Sequence, residues 1–369
     1  MPLPQLIAAL IATVCIAALA SFLLSLLAIR LGFKLNIVAL PGGRRKHARS
    51  TPKLGAIPLF GAFVIAVLIS QLFQIPTSDY PNEGRRLVGL LLGGAVIFVI
   101  GMLDDKFNLS PTVQFAAQAV CALIAIASLI FIERFTSPFA SGPNALVVLP
   151  DVLGRYLALA ATVLISVFWF MGMMNTVNWL DGVDGLAATV ALIAAGVTMI
   201  HMLREGQYSV ALLPAALIGT LLGFLVFNFQ PARIFIGGGA LWLGFALACI
   251  GIIGGAKIAL LLLVMGVPIA DVIWQVFDRW RHGRSPTAAD RGHLHFRLAD
   301  SGWSARRIVA LYAAVCAGFG AVALVPQPPL FKLITLSVLF VAVVAVLVVL
   351  SRRTGTTGQA GAADVTSAD

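Results

Sequence analysis

Residues 157–187 read "LALAATVLISVFWFMGMMNTVNWLDGVDGLA". Eighteen uncharged residues, 157–174, run directly into a turn that spends two Asn, two Asp and two Gly. A helix needs about 20 apolar residues to cross the hydrocarbon of a bilayer, so the first part reads as a membrane span that ends where the polar turn begins. The pattern recurs from end to end. Of 369 residues 60% are hydrophobic and 11% are charged, whereas a soluble domain is typically about a quarter charged. The chain reads as an all-α polytopic membrane protein with no room for a large soluble domain.

The apolar runs predict eleven transmembrane helices, at 5–29, 54–74, 86–103, 112–132, 156–174, 185–203, 208–229, 236–253, 257–277, 306–325 and 330–350. The first is too long for a signal-peptide core and has no basic residue before it, so it is expected to be retained. Placing the N-terminus outside puts 18 of the 25 Lys and Arg on the cytoplasmic side, with the C-terminus inside, as the positive-inside rule favours. The membrane domain then spans 1–350, with cytoplasmic loops at 30–53, 104–111, 175–184, 230–239 and 278–307. Residues 351–369, "SRRTGTTGQAGAADVTSAD" from its first Ser, read as a disordered cytoplasmic tail. The net charge of +10 is mostly a cytoplasmic feature, and headgroup contact alone accounts for much of it. The four Cys (15, 121, 249 and 316) all fall in apolar runs and read as small core residues.

Five polar clusters stand out: "RRKHARSTPKLG" (44–55), "GMLDDKFNLSP" (101–111), "NTVNWLDGVDGLA" (175–187), "FNFQPARIFIGGG" (227–239) and "GRSPTAADRGHLHF" (283–296). The orientation places all five at the cytoplasmic surface. A channel or transporter spreads polar groups through the membrane's depth; this chain gathers them at one face. Asp104 and Asp105 are adjacent carboxylates that repel unless they share a proton or a cation; the ordinary alternative is a pair of helix N-caps ahead of "LSPTVQF". Asp181 and Asp184 lie three apart, on one face if helical. Gly182 and Gly185 permit close approach of a ligand, and Asn175 and Asn178 add amides. Such carboxylates suit a Mg²⁺-bound pyrophosphate, Mn²⁺ serving in its place. Arg291, His293 and His295 are candidate phosphate ligands, with the two His pointing the same way if the loop is extended. A solvated loop and a zinc site are the competing readings of "HLH". Lys46 and His47 are further candidates. Asp271, inside an apolar run, is a functional residue by default and within reach of the same site.

Together these motifs resemble the polyprenyl-phosphate N-acetylhexosamine-1-phosphate transferase family, over about residues 30–325. "NTVNWLDGVDGLA" is similar to the family's NAxNxxDGxDGL signature, "GMLDDKFNLSP" to its Asp-Asp motif, and "RKHARSTPKLG" to its first cytoplasmic motif. "GRSPTAADRGHLHFRL" resembles its His loop in the form with His-x-His spacing, as in the GlcNAc-1-phosphate type. The resemblance implies transfer of a sugar-1-phosphate, favoured as GlcNAc-1-phosphate, from a UDP-sugar to polyprenyl (undecaprenyl) phosphate. UMP leaves, and the lipid-diphosphate sugar that starts a cell-envelope polysaccharide remains. It implies that Asp104 or Asp105 orients or deprotonates the lipid phosphate. Asp181, Asp184 and Asp105 would bind metal or nucleotide. Arg291, His293, His295, Lys46 and His47 would hold phosphates. A homodimer and the bacterial inner membrane are also implied.

One departure matters. The family's next motif resembles IFMGDxGS, and its Asp is taken as a metal ligand. Here the stretch is "IFIGGGALWLG", as if that Asp were deleted between Gly237 and Gly238. No carboxylate lies between Glu205 and Asp271. Three expectations follow: an active or weakly active transferase that recruits another carboxylate, a catalytically impaired homologue that still binds lipid phosphate or nucleotide, or a transporter or lipid-handling protein. Asn108, Phe296 and Ala56 are smaller departures.

Overall fold

The computed structural model describes residues 3–40, 50–77, 82–139, 146–255, 258–285, 291–326 and 328–363, the last stretch from 350 onward by its backbone. The order opens with α1 (Leu3–Lys34), β1 (Val38–Ala39), β2 (Thr51–Pro52), α2 (Ala56–Ser70), α3 (Asn82–Phe107) and α4 (Pro111–Ala127). A hairpin of β3 (Arg134–Thr136) and β4 (Leu146–Val148) follows, then α5 (Leu149–Leu153) and α6 (Arg155–Leu180). The chain continues through α7 (Leu186–Arg204), α8 (Leu212–Asn228), α9 (Gly239–Ile253), α10 (Ile258–Val264) and α11 (Gly266–Arg281). It ends with α12 (Leu294–Asp300), α13 (Ala305–Leu324) and α14 (Pro329–Ala363).

Seven of these helices are long and apolar enough to cross a membrane, and an eighth crossing is made if α10 and α11 count as one broken span. The expected helix 257–277 is therefore corrected: it is two helices meeting at 80° around Met265. The apolar runs expected at 112–132, 208–229 and 236–253 form the shorter helices α4, α8 and α9. Every residue of α9 is buried. It packs against α6, α3 and α2, and a helix enclosed by others has no lipid contact to fix its length. α14 continues to Ala363, beyond the boundary at 350 drawn from composition.

Small residues set the closest packing. α1 turns Ala9, Thr13, Ala17, Ser21, Ser25, Ala28 and Gly32 inward, and its main partner is α8. A Cβ on Gly219 would run into the Val14 carbonyl, and one on Gly223 into the Ala18 carbonyl. Helices surrounded by lipid gain nothing from burying more hydrocarbon, so they associate where small residues let their backbones touch. Larger apolar side chains face outward: Leu19, Leu68, Leu92 and Phe168 are all exposed. Cys121, Cys249 and Cys316 are buried as expected, while Cys15 faces outward with this apolar surface.

Candidate active site

The polar clusters converge at one end of the bundle because the helices that carry them end there. Asp104 and Asp105 occupy the last turn of α3. Successive side chains on a helix point about 100° apart, and these two diverge. Asp104 Oδ1 accepts from the Leu109 amide at 2.8 Å and from Gln114 Nε2 at 3.0 Å. It fastens the turn into α4, which Ser110 caps by accepting from the Val113 amide. The N-cap alternative thus belongs to Ser110. Asp105, buried, reaches across the bundle and accepts the Gly238 amide at 2.8 Å through Oδ2. Lys53, Asp104 and Asp181 are close enough to bear on its charge.

α6 ends at Leu180, and Asp181 is its buried C-cap residue. Asp184 sits in the following turn, where Gly185 takes φ +77° and starts α7. Asp184 Oδ2 accepts the Ala232 amide at 3.1 Å. Asn175 Nδ2 donates to Gln118 Oε1 at 2.7 Å and to the Met171 carbonyl at 2.8 Å, so it ties α6 to α4. Asn178 is half-buried and makes no side-chain hydrogen bond among the described residues.

The shortened glycine loop is closed tightly. The Phe235 amide donates to the Pro52 carbonyl at 2.8 Å and the Gly55 amide to the Phe235 carbonyl at 3.0 Å, which zips this loop to the strand that ends the first polar cluster. Gly237 has φ +58°. A Cβ there would collide with the Lys53 carbonyl and lie 2.5 Å from Asp105 Oδ2. Gly238 packs directly on the backbone of Gly101. Where the family resemblance expects a carboxylate, this chain presents a backbone amide to Asp105.

The histidine segment is not the expected extended loop. His293 is the N-cap residue of α12 and His295 lies in its first turn. Both rings still face one way, stacked at 5.7 Å and 11°, and both are buried. Asp271, on α11, accepts from His293 Nδ1 at 3.0 Å and from the Leu294 amide at 3.1 Å. Asp271 therefore holds a site residue rather than facing open space itself. His293's ring lies 5.9 Å from that of Trp179. His295 covers the aspartate turn so closely that a Cβ on Gly182 would strike its Nε2. Arg291 stands at the border of this cluster: its guanidinium makes a two-pronged contact with Asp300, Nη2 at 2.7 Å and Nε at 3.1 Å, and lies 4.7 Å over the ring of Phe296, which packs on His295. Lys46 and His47 lie outside the described residues.

Two site residues, Gln275 and Arg279, escaped the reading of the sequence. Gln275 Nε2 donates to the Gly292 carbonyl at 2.6 Å, and Arg297 Nε donates to the same oxygen at 2.6 Å. Arg279, 2% exposed, has Nη2 3.5 Å from His293 Nε2 and its guanidinium over the Trp179 ring at 5.6 Å. The signal was present in the four-residue spacing of Asp271, Gln275 and Arg279, which sets one polar stripe along α11.

On its other side α11 lines an apolar groove. The groove, about 1050 Å³, runs between α6 and α11 and is walled by Leu164, Phe168, Ile273 and Phe277, among others. Phe168 and Trp280, 81% and 71% exposed, place it at the outer surface of the bundle. It ends on Asn175, Thr176 and Trp179, in the polar signature. Leu164 to Trp179 spans roughly 22 Å of helix.

A divalent cation was expected here. Among the described residues no group of three or more His, Cys, Asp or Glu is set to hold one, and Asp104 Oδ1 is taken up by its turn. Asp105 retains Oδ1 beside the Oδ2 that accepts Gly238, and Asp181 stands close by. Mg²⁺ commonly takes one or two carboxylates and completes its shell with water and phosphate oxygens. The residues present fit a cation held that way.

Fold and site define a polytopic helical membrane protein that brings buried carboxylates, His and Arg to the polar end of a lipid-facing groove. A sequence model of glycosyl transferase family 4 matches residues 87–255. The chain is 32% identical over 305 residues to the decaprenyl-phosphate N-acetylglucosaminephosphotransferase of Mycobacterium leprae (strain TN), covering 75% of this chain and 74% of that one. It is 29% identical over 303 residues to a probable undecaprenyl-phosphate N-acetylglucosaminyl 1-phosphate transferase of Bacillus subtilis (strain 168), covering 80% and 79%. To the phospho-N-acetylmuramoyl-pentapeptide-transferase of Anoxybacillus flavithermus (strain DSM 21510 / WK1) it is 32% identical over 286 residues, covering 74% and 84%. The chain belongs to glycosyl transferase family 4.

Proposed function

We propose that this protein transfers GlcNAc-1-phosphate from UDP-GlcNAc to undecaprenyl phosphate or a similar polyprenyl phosphate, releasing UMP. The observation that carries the reading is the meeting of an apolar groove with buried polar residues at Trp179 and Asn175. A soluble donor alone would need no such groove, and the buried Arg279 beside it suits an anionic head. The relatives' names supply the sugar and the lipid. The lipid phosphate attacks the sugar-linked phosphorus as the bond to UMP breaks. Asp105, fixed by the Gly238 amide, orients or deprotonates the attacking phosphate, which is already a competent nucleophile near neutral pH. Arg279 and His293 face the developing negative charge, where a buried cation acts most strongly. Asp105 and Asp181 would hold Mg²⁺, with Asp184 nearby; when bound, the ion would supply charge neutralisation at the diphosphate.

The setting follows from the same reading. The site faces the cytoplasm of a bacterial inner membrane, the N-terminus lies outside and the C-terminus inside. The three short helices α4, α8 and α9 complete eleven crossings. Family resemblance supports a homodimer. A second reading, an impaired homologue that binds lipid phosphate without turnover, is favoured by Gly237 and Gly238 filling the place of the family's carboxylate. The test is UMP release by purified protein from UDP-GlcNAc and undecaprenyl phosphate, with Mg²⁺ and with EDTA. Turnover abolished by EDTA supports the transferase. Binding of the lipid phosphate without UMP release supports the impaired homologue, and neither binding nor release would overturn both.

A further inference from the structure

Trp179 stands where a space suited to hydrocarbon comes closest to a buried cation. Its ring lines the polar end of the groove. The same ring carries the Arg279 guanidinium at 5.6 Å and the His293 ring at 5.9 Å. No Asp or Glu lines the groove, so nothing on that side repels an anion. Asp271, the carboxylate next to this cluster, is taken up by His293 Nδ1 and the Leu294 amide, and Asp105 reaches the glycine loop. One flat side chain therefore stands between the apolar wall of Phe168, Ile273 and Phe277 and Arg279, which is 2% exposed.

An indole suits this position on both counts. Its face is apolar enough to support a hydrocarbon chain. The same π-system attracts a guanidinium and holds it flat, leaving the N–H edge for an anion. An aliphatic residue would do the first and not the second.

We propose that Trp179 selects a phosphate-headed lipid over an uncharged one and sets its register in the groove. The first apolar unit of the lipid rests on the indole, and its phosphate passes the ring's edge toward Arg279. This assignment rests on the lipid-phosphate reading of the groove given above. It adds a residue that decides which lipid is accepted, distinct from those that act on the phosphate.

The test is equilibrium binding by titration calorimetry in detergent, which needs no turnover. Undecaprenyl phosphate, undecaprenol and UDP-GlcNAc are each titrated into the wild type, Trp179→Ala and Trp179→Phe. The wild type is expected to prefer undecaprenyl phosphate to undecaprenol by roughly tenfold or more, the scale of a desolvated cation–π contact. Trp179→Ala is expected to weaken lipid-phosphate binding roughly tenfold and to bring that preference close to one. Its UDP-GlcNAc affinity should stay within about twofold, and Trp179→Phe should keep most of the preference, since a phenyl face also holds a guanidinium. An unchanged preference in Trp179→Ala, with the wild type binding the lipid phosphate, overturns the role of Trp179 alone. Equal losses for lipid phosphate, undecaprenol and nucleotide also overturn it, because they mark general damage. A wild type that binds neither lipid overturns the reading of the groove as well.

Discussion

Asp104 and Asp105 are chemically identical neighbours with different work, and the helix separates them. Asp104 spends its carboxylate on the Leu109 amide and Gln114, whereas Asp105 crosses to Gly238. Asp104→Asn keeps an acceptor for the turn, so UMP release should fall by no more than about tenfold, the size of one weakened charged hydrogen bond. Asp105→Asn removes the charge at the site and should cost roughly 10²–10³-fold. Steady-state assays of both variants check this; equal losses would contradict the division of labour. Asp271 offers a second test. It accepts from His293 and from the Leu294 amide at once, and an Asn cannot accept equally well from both. Asp271→Asn should lower turnover roughly 10- to 100-fold, the range for a hydrogen bond to a buried charged group. In a His293→Gln background the same change should add little, because both act through one ring. Multiplicative losses in the double variant would mean that Asp271 contacts substrate independently.

At the scale of the element, α11 carries two faces. Asp271, Gln275 and Arg279 grip the histidine segment, while Ile273, Val276 and Phe277 line the groove. The bend of 80° at Met265 turns the helix out of line with α10, so that both faces meet their partners. The polar stripe was visible as a four-residue spacing in the sequence. The bend also had a local signal, Gly266 and Pro268 just after Met265, since Pro inside a helical run removes a hydrogen bond and kinks or breaks the helix; reading 257–277 as one span by its apolarity passes over it. The α1–α8 contact depends on an opposite device, the absence of side chains. Gly223→Leu should force α1 away from the Ala18 carbonyl and Ser21, lowering stability by about 1–3 kcal/mol, as over-packing typically does. Thermal denaturation in detergent reads this directly. A change of similar size at outward-facing Leu19 should leave the midpoint nearly unmoved.

For the whole molecule, the separation of ends is the testable feature. Phe139 follows the β3 strand in the segment between α4 and α6, and Arg284 follows α11 at the site end. In a background freed of the four native Cys, Phe139→Cys should react with a membrane-impermeant thiol reagent from outside intact cells. Arg284→Cys should react only after the membrane is opened. Labelling of both from the same side would invert or break the proposed topology.

The apolar runs by themselves determined that this is a helical membrane protein, since a lipid environment leaves the backbone few other ways to satisfy its hydrogen bonds. The motifs determined which polar segments belong together, because uncommon residues at fixed spacing survive translation into one dimension. The missing carboxylate at Gly237 and Gly238 was equally legible. Only the tertiary structure decided that Asp104 turns to the Leu109 amide and Gln114 while Asp105 reaches Gly238, since two adjacent helical residues diverge in space. It also decided that Arg291 turns to Asp300 while Arg279 lies buried beside His293. Those outcomes depend on contacts between segments far apart in the chain, and no local pattern encodes which of several charges a distant helix will enclose.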